Sequence, residues 1–299
     1  MGDTFLDMLR ERAEAVCGDS VGLLKDYSSM DPVNPPGSPG LIISVRGDQS
    51  WNSLPAEGKR KQVRLLREIN RFTELVCVLT IDLPSASRQE LGNALKELRS
   101  AVEQDGYTWF KTTDEAIKGV RELIRKCLTV LEEFFTASSD VVLAIPDTNA
   151  LLSNPDIELW RFDDVGRFEI VLTPSVLSEL DAHKVNHRNK EVRSKALKLI
   201  RKIKEYRRRG SLHNGVPIVT NLVTLRSVAA EPNMSQTLSW LDATNADDRF
   251  LATSLEIIRS NAGARLFIVT SDVNMQNKAE FAGIPFCEVP VSRVAEKRA

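Results

Sequence analysis

The chain has 299 residues, of which 42% are hydrophobic and 27% are charged, and its formal net charge is −1. This balance is that of an ordinary globular protein, and it excludes disordered, collagen-like and coiled-coil chains. Four widely spaced cysteines, an acidic start and apolar runs much shorter than a membrane span predict a cytoplasmic protein with reduced thiols and no membrane helix.

Residues 1–140 are predicted to form a mainly helical domain. A short helix is expected over 4–16, and the proline-rich stretch 28–58 predicts a loop-rich segment with a short strand at Leu41–Val45. From 59 to 136, apolar residues recur at three- and four-residue steps in three segments, which is typical of amphipathic helices in a bundle. This domain carries no chemical motif. We expect it to bind a protein partner or to self-associate, and a role in positioning RNA or in restraining activity stays open.

Strand and helix patterns alternate in residues 141–299, which predict a second domain. Val141–Pro146 is a continuous apolar run, typical of a strand buried on both faces. Further strands are predicted at 168–173, 217–223, 265–270 and 286–289, and helical patterns at 175–208, 247–260 and 274–282. The alternation predicts an α/β fold with a central parallel sheet covered by helices.

Acidic residues follow the strands of this predicted sheet. Asp147 comes directly after the first strand, Glu179 lies on the next helix, Asp247 and Asp248 begin a third helix, and Asp272 follows the fourth strand. Each alone could be a turn residue or a helix cap, but the carboxyl ends of parallel strands meet at one edge, so we expect a shared crevice. Clustered carboxylates need a cation, and oxygen ligands prefer Mg²⁺ or Mn²⁺. Such a site can hydrolyse a phosphodiester.

Four short segments carry these acids: Pro146–Leu152, Ser178–Asp181, Asn245–Ala252 and Thr270–Ala279. In this order they resemble the motifs of the PIN-domain family of metal-dependent ribonucleases, over about residues 141–290. The resemblance implies a three-layer α/β/α sandwich with a central parallel sheet. It also implies two Mg²⁺ or Mn²⁺ ions and a two-metal-ion hydrolysis of RNA that leaves 5′-phosphate and 3′-hydroxyl ends.

The resemblance also implies which side chains act. The metal-binding, catalytic carboxylates would be Asp147, Glu179, Asp248 and Asp272. The third motif leaves a choice between Asp247 and Asp248, and it favours Asp248 because a basic and then apolar residues follow it. Asp247 would then hold a metal-binding carboxylate in position or cap the third helix. The residues expected to orient carboxylates or water are Thr148, Asn149, Asp247, Ser271 and Asn274.

A strongly basic segment follows Glu179. Residues 183–209 contain twelve Lys or Arg and only two Glu, and apolar residues at helical spacing leave the charges on the outer face. This pattern predicts one amphipathic helix that contacts phosphates, although a solvated surface is the plain alternative. The predicted RNA contacts are Lys184, Arg188, Lys195, Lys198 and Lys202.

The function predicted from these residues is an endoribonuclease that acts on single-stranded or loop regions of RNA. One alternative is a non-catalytic RNA-binding or scaffold protein on the same fold. Another is a phosphotransfer domain with Asp147 as nucleophile, although Asn149 stands where that class has a second Asp. A zinc site of Glu179, His183 and His187 on one helix face is a further alternative for the metal.

Overall fold

The computed structural model describes residues 5–33, 49–136, 142–261 and 263–290. The chain divides into two compact units, of which one is residues 9–134 and the other is residues 135–299 together with 1–8. The predicted strand Leu41–Val45 lies outside the described residues. Within these ranges, no helix has the length and apolar character needed to span a membrane.

Helices dominate the unit of residues 9–134, as predicted. The elements from residue 5 to 135 are α1 (Phe5–Tyr27), β1 (Met30–Pro32), β2 (Gln49–Trp51), α2 (Ala56–Leu79), α3 (Ser85–Glu103), β3 (Tyr107–Thr108) and α4 (Thr113–Phe135). The strands pair antiparallel in the order β1-β2-β3. Helix α1 runs beyond the predicted residues 4–16 because Leu23 and Leu24 continue its buried face.

The buried face of α2 follows the predicted periodicity from Ile69 and Phe72 onward. Before that it differs at two positions. Val63, which the pattern places on this face, is half exposed, and Leu65 is buried in place of the predicted Leu66, which is partly exposed. The first turns of the helix therefore bury a different face from the predicted one.

The other unit has the predicted α/β fold. Its elements after residue 141 are β4 (Val142–Pro146), α5 (Thr148–Ser153), β5 (Phe168–Leu172), α6 (Pro174–Asn186), α7 (Lys190–Arg209), β6 (Val216–Val219), β7 (Val223–Ser227), α8 (Ala246–Ser260), β8 (Arg265–Val269), α9 (Val273–Ala282) and β9 (Phe286–Cys287). Every residue of β4 is buried, as its unbroken apolar run predicts.

The sheet has the order β6-β7-β5-β4-β8-β9, and all neighbouring strands are parallel except β6 and β7. From β4 the chain moves through β5 to β7 on one side and then crosses to β8 and β9 on the other. Right-handed crossovers therefore place α5, α6 and α7 on one face and α8 and α9 on the opposite face. The connections diverge between β4 and β8, and a crevice opens at their carboxyl ends.

Two predicted elements are wrong in extent. The predicted strand 217–223 is a hairpin of β6 and β7, because Asn221 adopts a positive φ of 58° and reverses the chain. The predicted helix 175–208 is two helices, α6 and α7. The Asn189 side chain accepts the N–H of Glu191 at 2.8 Å and starts α7 anew, while His187 is extended.

Candidate active site

Asp147 is buried at the carboxyl end of β4, where it caps the first turn of α5. Its Oδ1 accepts the N–H of Ala150 at 2.6 Å, and its Oδ2 accepts a hydrogen bond from the hydroxyl of Thr270. Its own N–H donates to the carbonyl of Val269, the last residue of β8, at 3.1 Å. Both the backbone and the carboxylate of Asp147 are thus held between two neighbouring strands.

The environment of Asp147 raises the pKa of its carboxyl group. Burial is the main cause, and the hydrogen bonds from Thr270 and Ala150 act in the opposite direction. The negative charges of Asp272 and Asp247 raise this pKa further. Three carboxylates from three different elements therefore converge at this edge of the sheet.

Asp272 caps the start of α9, on the side of the crevice formed by β8. Its Oδ1 accepts the N–H of Asn274 at 2.8 Å, and its own N–H donates to Thr270 Oγ1 at 3.0 Å. Thr270 is fully buried and joins Asp147 to Asp272. Sequence analysis did not assign Thr270 a role, although it opens the fourth motif.

Glu179 lies half-buried on α6. Its Oε2 accepts a hydrogen bond of 2.5 Å from the hydroxyl of Thr148, the first residue of α5. Thr148 is buried and follows Asp147 directly. The structure therefore brings a predicted orienting residue into contact with a predicted metal-binding carboxylate.

The adjacent acids Asp247 and Asp248 have different surroundings. Asp248 is buried, and its oxygens accept from the N–H of Asp242 at 2.9 Å and from Lys278 Nζ at 2.7 Å. Asp247 is half-buried, lies 3.6 Å from Lys278 and acts electrostatically on Asp147. Asp248 is therefore the acid that is hydrogen-bonded within the protein, and Asp247 is the more exposed acid whose charge acts on Asp147.

Lys278 is a second site residue that sequence analysis did not single out. It stands on α9, about one helical turn before the end of that helix, and reaches both acids of α8. Burial alone lowers the pKa of its ammonium group. The hydrogen bond to Asp248 and the charges of Asp248 and Asp247 outweigh burial, so its pKa is raised.

The other predicted orienting residues lie farther out. Asn149 and Asn274 are exposed. The Ser271 side chain is hydrogen-bonded to Glu288, and this bond is the main reason why the Glu288 pKa is lowered. Ser271 therefore helps to fasten the chain after β9 beside the fourth motif.

Ion pairs occupy four of the five predicted RNA contacts. Lys202 lies 2.7 Å from Asp156 and 2.5 Å from Glu158, and Lys198 also lies 2.7 Å from Asp156. The remaining predicted contacts are Lys195, which pairs with Glu191 at 3.0 Å, Lys184, which pairs with Asp181, and Arg188, which is exposed. Much of the basic segment thus neutralises acids of its own domain.

No three His, Cys, Asp or Glu side chains lie close enough to hold a metal ion together in the part of the chain that the structure describes. This holds also for Glu179, His183 and His187, and His187 lies at the end of α6 with its ring against that of His183. The crevice acids are nevertheless all oxygen donors, the type that Mg²⁺ and Mn²⁺ prefer. The repulsion on Asp147 is what a divalent cation would relieve, so the donor set fits such an ion in its chemistry.

Comparison with known proteins agrees with this architecture. The family model of the PIN domain matches residues 144–289, which span all four acidic segments. No curated protein matches the chain. PIN domains are generally nucleases, and they generally use divalent metal ions. The C-terminal part of this chain, residues 144–289, belongs to the PIN-domain family.

Proposed function

We propose that the PIN domain of this chain is a metal-dependent endoribonuclease. The observation that carries the proposal is the convergence of Asp147, Asp247 and Asp272, in which two negative charges act on a buried carboxyl group. This repulsion costs folding free energy and stabilises nothing in the protein alone. A bound divalent cation and the phosphate it recruits account for it.

The proposed direct ligands of the cation are Asp147 and Asp272, and Asp247 and Glu179 would reach it through bound water, because no three of the described acids lie close enough to hold one ion together. When bound, Mg²⁺ or Mn²⁺ lowers the pKa of water and neutralises charge on the scissile phosphate. The protein contributes orientation: Thr270 holds Asp147 and the backbone of Asp272, and the Thr148 hydroxyl holds Glu179. Such fixed outer partners keep ligand oxygens aimed into the crevice.

The contacts of the two α8 acids support Asp247, not Asp248, as the ligand. Asp248 already has an ammonium group at 2.7 Å and a backbone N–H at 2.9 Å. Lys278 also places a positive charge beside Asp247. The resemblance implies a second metal ion, and an ion bound on this side would compete with Lys278.

The proposed substrate is single-stranded or looped RNA. An open acidic crevice admits a strand whose bases are splayed, and exposed cations of α7 such as Arg201 and Arg208 are suited to its phosphates. A non-catalytic RNA-binding module is the second candidate. It leaves the carboxylate cluster without a purpose, because a phosphate binder gains nothing from a group of like-charged acids.

The test is cleavage of a fluorescent single-stranded RNA by the full chain with Mg²⁺, Mn²⁺ or EDTA. We expect cleavage with either metal, none in EDTA and none by Asp147→Asn. Asp163→Asn, which removes an exposed acid outside the crevice, is the matched control and should cleave like the wild type. Full activity in excess chelator would refute the metal-dependent mechanism. RNA binding without cleavage in both metals would favour the binding module.

A further inference from the structure

Besides the acidic crevice, the PIN domain has a pocket of about 540 Å³ beside α6 and α7. It includes Ser227 and Val228, at the end of β7. The N–H of Val228 donates to the carbonyl of Leu172 at 2.9 Å, which places the pocket next to the carboxyl end of β5. The pocket therefore lies at the same edge of the sheet as the acidic crevice.

Helix α6 separates this pocket from the carboxylates. Leu177 and Asp181 line the pocket, and they stand two residues before and two residues after Glu179. Two residues correspond to about 200° around a helix, so Glu179 points away from the pocket. The pocket is thus a separate site on the far side of that helix.

The pocket combines apolar walls with a cationic rim. Ile200, Ile203, Lys204 and Arg207 have the spacing of a single helix face, so α7 contributes both apolar and basic groups. Further apolar lining comes from Leu177, Leu212, Val228 and Ala229, and hydroxyls come from Ser211 and Ser227. Apolar walls do not favour inorganic phosphate alone, but they suit a planar ring attached to an anion.

Lys204 and Arg207 differ from the neighbouring lysines of α7. Lys195, Lys198 and Lys202 are engaged by acids, whereas Lys204 and Arg207 are exposed and form no ion pair within the described ranges. The one acid of the lining, Asp181, is paired with Lys184. The net charge that the rim presents to a ligand is therefore positive.

We propose that this pocket binds a nucleotide, with the base between the apolar walls and the phosphate on Lys204 and Arg207. A guanidinium can hold a phosphate through two parallel hydrogen bonds. The volume of about 540 Å³ lies within the range of small-molecule sites.

The nucleotide has two sources, a free mononucleotide or one unit of an RNA strand. Strands β4 and β7 are two positions apart in the sheet, a distance of roughly 10 Å. An RNA that reaches Asp147 would therefore reach this pocket as well. Only this second source rests on the proposed nuclease function.

The experiment measures binding in EDTA, so that catalysis does not enter. Uridine and adenosine 5′-monophosphates are titrated by ligand-detected NMR into wild type and into Lys204→Glu/Arg207→Glu. We expect affinity to fall at least about tenfold in the variant, as for the loss of charge-assisted phosphate contacts. Lys118→Glu/Arg121→Glu makes the same charge change at the same spacing on exposed residues of α4, which do not line the pocket, and should leave mononucleotide affinity within about twofold. Equal melting temperatures check the fold, and Lys204→Gln/Arg207→Gln replaces the rim variant if it unfolds.

A labelled decauridine in EDTA distinguishes the two sources. Mononucleotide binding that only the rim variant weakens, by at least about tenfold, assigns a free nucleotide. Binding of decauridine but not of mononucleotides, weakened more by the rim variant than by the control, assigns a unit of RNA. Equal losses in the rim variant and the control for every ligand, or no loss in either, would overturn the pocket. These results are independent of cleavage, so the nuclease proposal can fail while the pocket stands.

Discussion

Thr270 donates a hydrogen bond to Asp147 Oδ2, and the same hydroxyl oxygen accepts the N–H of Asp272 at 3.0 Å. The two carboxylate residues follow β4 and β8, whose last residues Pro146 and Val269 are paired in parallel register. One buried hydroxyl therefore links both sides of the crevice. The relative position of these two carboxylates is set by the register of the sheet.

Thr270→Val should weaken the site while keeping the shape of the side chain. The change leaves the N–H of Asp272 and Asp147 Oδ2 without this partner, which we expect to cost about 1–3 kcal/mol of unfolding free energy. Loss of the orienting bond should lower metal affinity and kcat/KM by about 10–100-fold. Calorimetric metal titration and cleavage rates measure both, and Thr270→Ser should retain them. Wild-type metal affinity in the valine variant would contradict this role.

Asp147→Asn should abolish cleavage and raise the melting temperature of the metal-free protein. The Asp147 pKa is raised in the folded state, so the ionised carboxylate destabilises the fold at neutral pH. Asn also retains an acceptor for the N–H of Ala150. As pH falls through the folded-state pKa towards the ordinary Asp value, the wild type becomes protonated and the difference should vanish. Melting curves in EDTA across this range test the sign, and a less stable variant at neutral pH would contradict it.

Asp247→Asn and Asp248→Asn should fail in different ways. Asp248→Asn leaves Lys278 without its closest partner, and we expect a loss of about 1–3 kcal/mol of stability. Asp247→Asn removes a repulsive charge near Asp147, so stability should hardly change while cleavage falls sharply. Denaturant unfolding and cleavage rates are measured side by side. Retained stability with the larger loss of activity in Asp248→Asn would restore the choice that the sequence favours.

Helix α7 allows a matched comparison between cations that form ion pairs and cations that do not. Changing Lys195, Lys198 and Lys202 to Glu places new negative charges beside Asp156 and Glu158, so stability should fall. Arg201→Glu/Arg208→Glu should leave stability unchanged and reduce the salt dependence of RNA binding, by about 0.7 in slope per lost contact. Melting curves measure the loss of stability, and RNA affinity at several salt concentrations measures the loss of phosphate contacts. An unchanged slope in the arginine variant would make this face a solvated surface.

The boundary between the units can be tested with Phe5. The sequence places it near residue 140, whereas the compact C-terminal unit also includes residues 1–8 and Phe135. Phe5 and Phe135 are buried with ring centroids 6.4 Å apart. We expect fragment 141–299 to be folded but less stable than fragment 135–299, which keeps Phe135 beside Ile258 and Leu266. Phe5→Ala should destabilise the full chain by about 3–5 kcal/mol. Equal melting temperatures of the two fragments would support a boundary at 140.

Sequence patterns were sufficient to predict features that depend on a single strand or helix and on the general geometry of a parallel sheet. The unbroken apolar run ending at Pro146 predicted a buried central strand, since a strand covered on both faces has no polar position. Parallel strands share one carboxyl edge, so the residues after them, Asp147 and Asp272, were predicted to meet. The prediction that residues 1–140 bind a partner or self-associate stays a prediction.

Tertiary structure decided the contacts between elements that are distant in the chain. Asp247 and Asp248 are adjacent, and only the packing of α9 beside α8 shows that Lys278 holds the second. Lys198 and Lys202 have a basic helical pattern, but their partner Asp156 is more than forty residues away. The spacing of apolar residues indicates which face of a helix or strand is buried. It does not report which side chain from another element lies opposite, because that depends on how helices and strands pack.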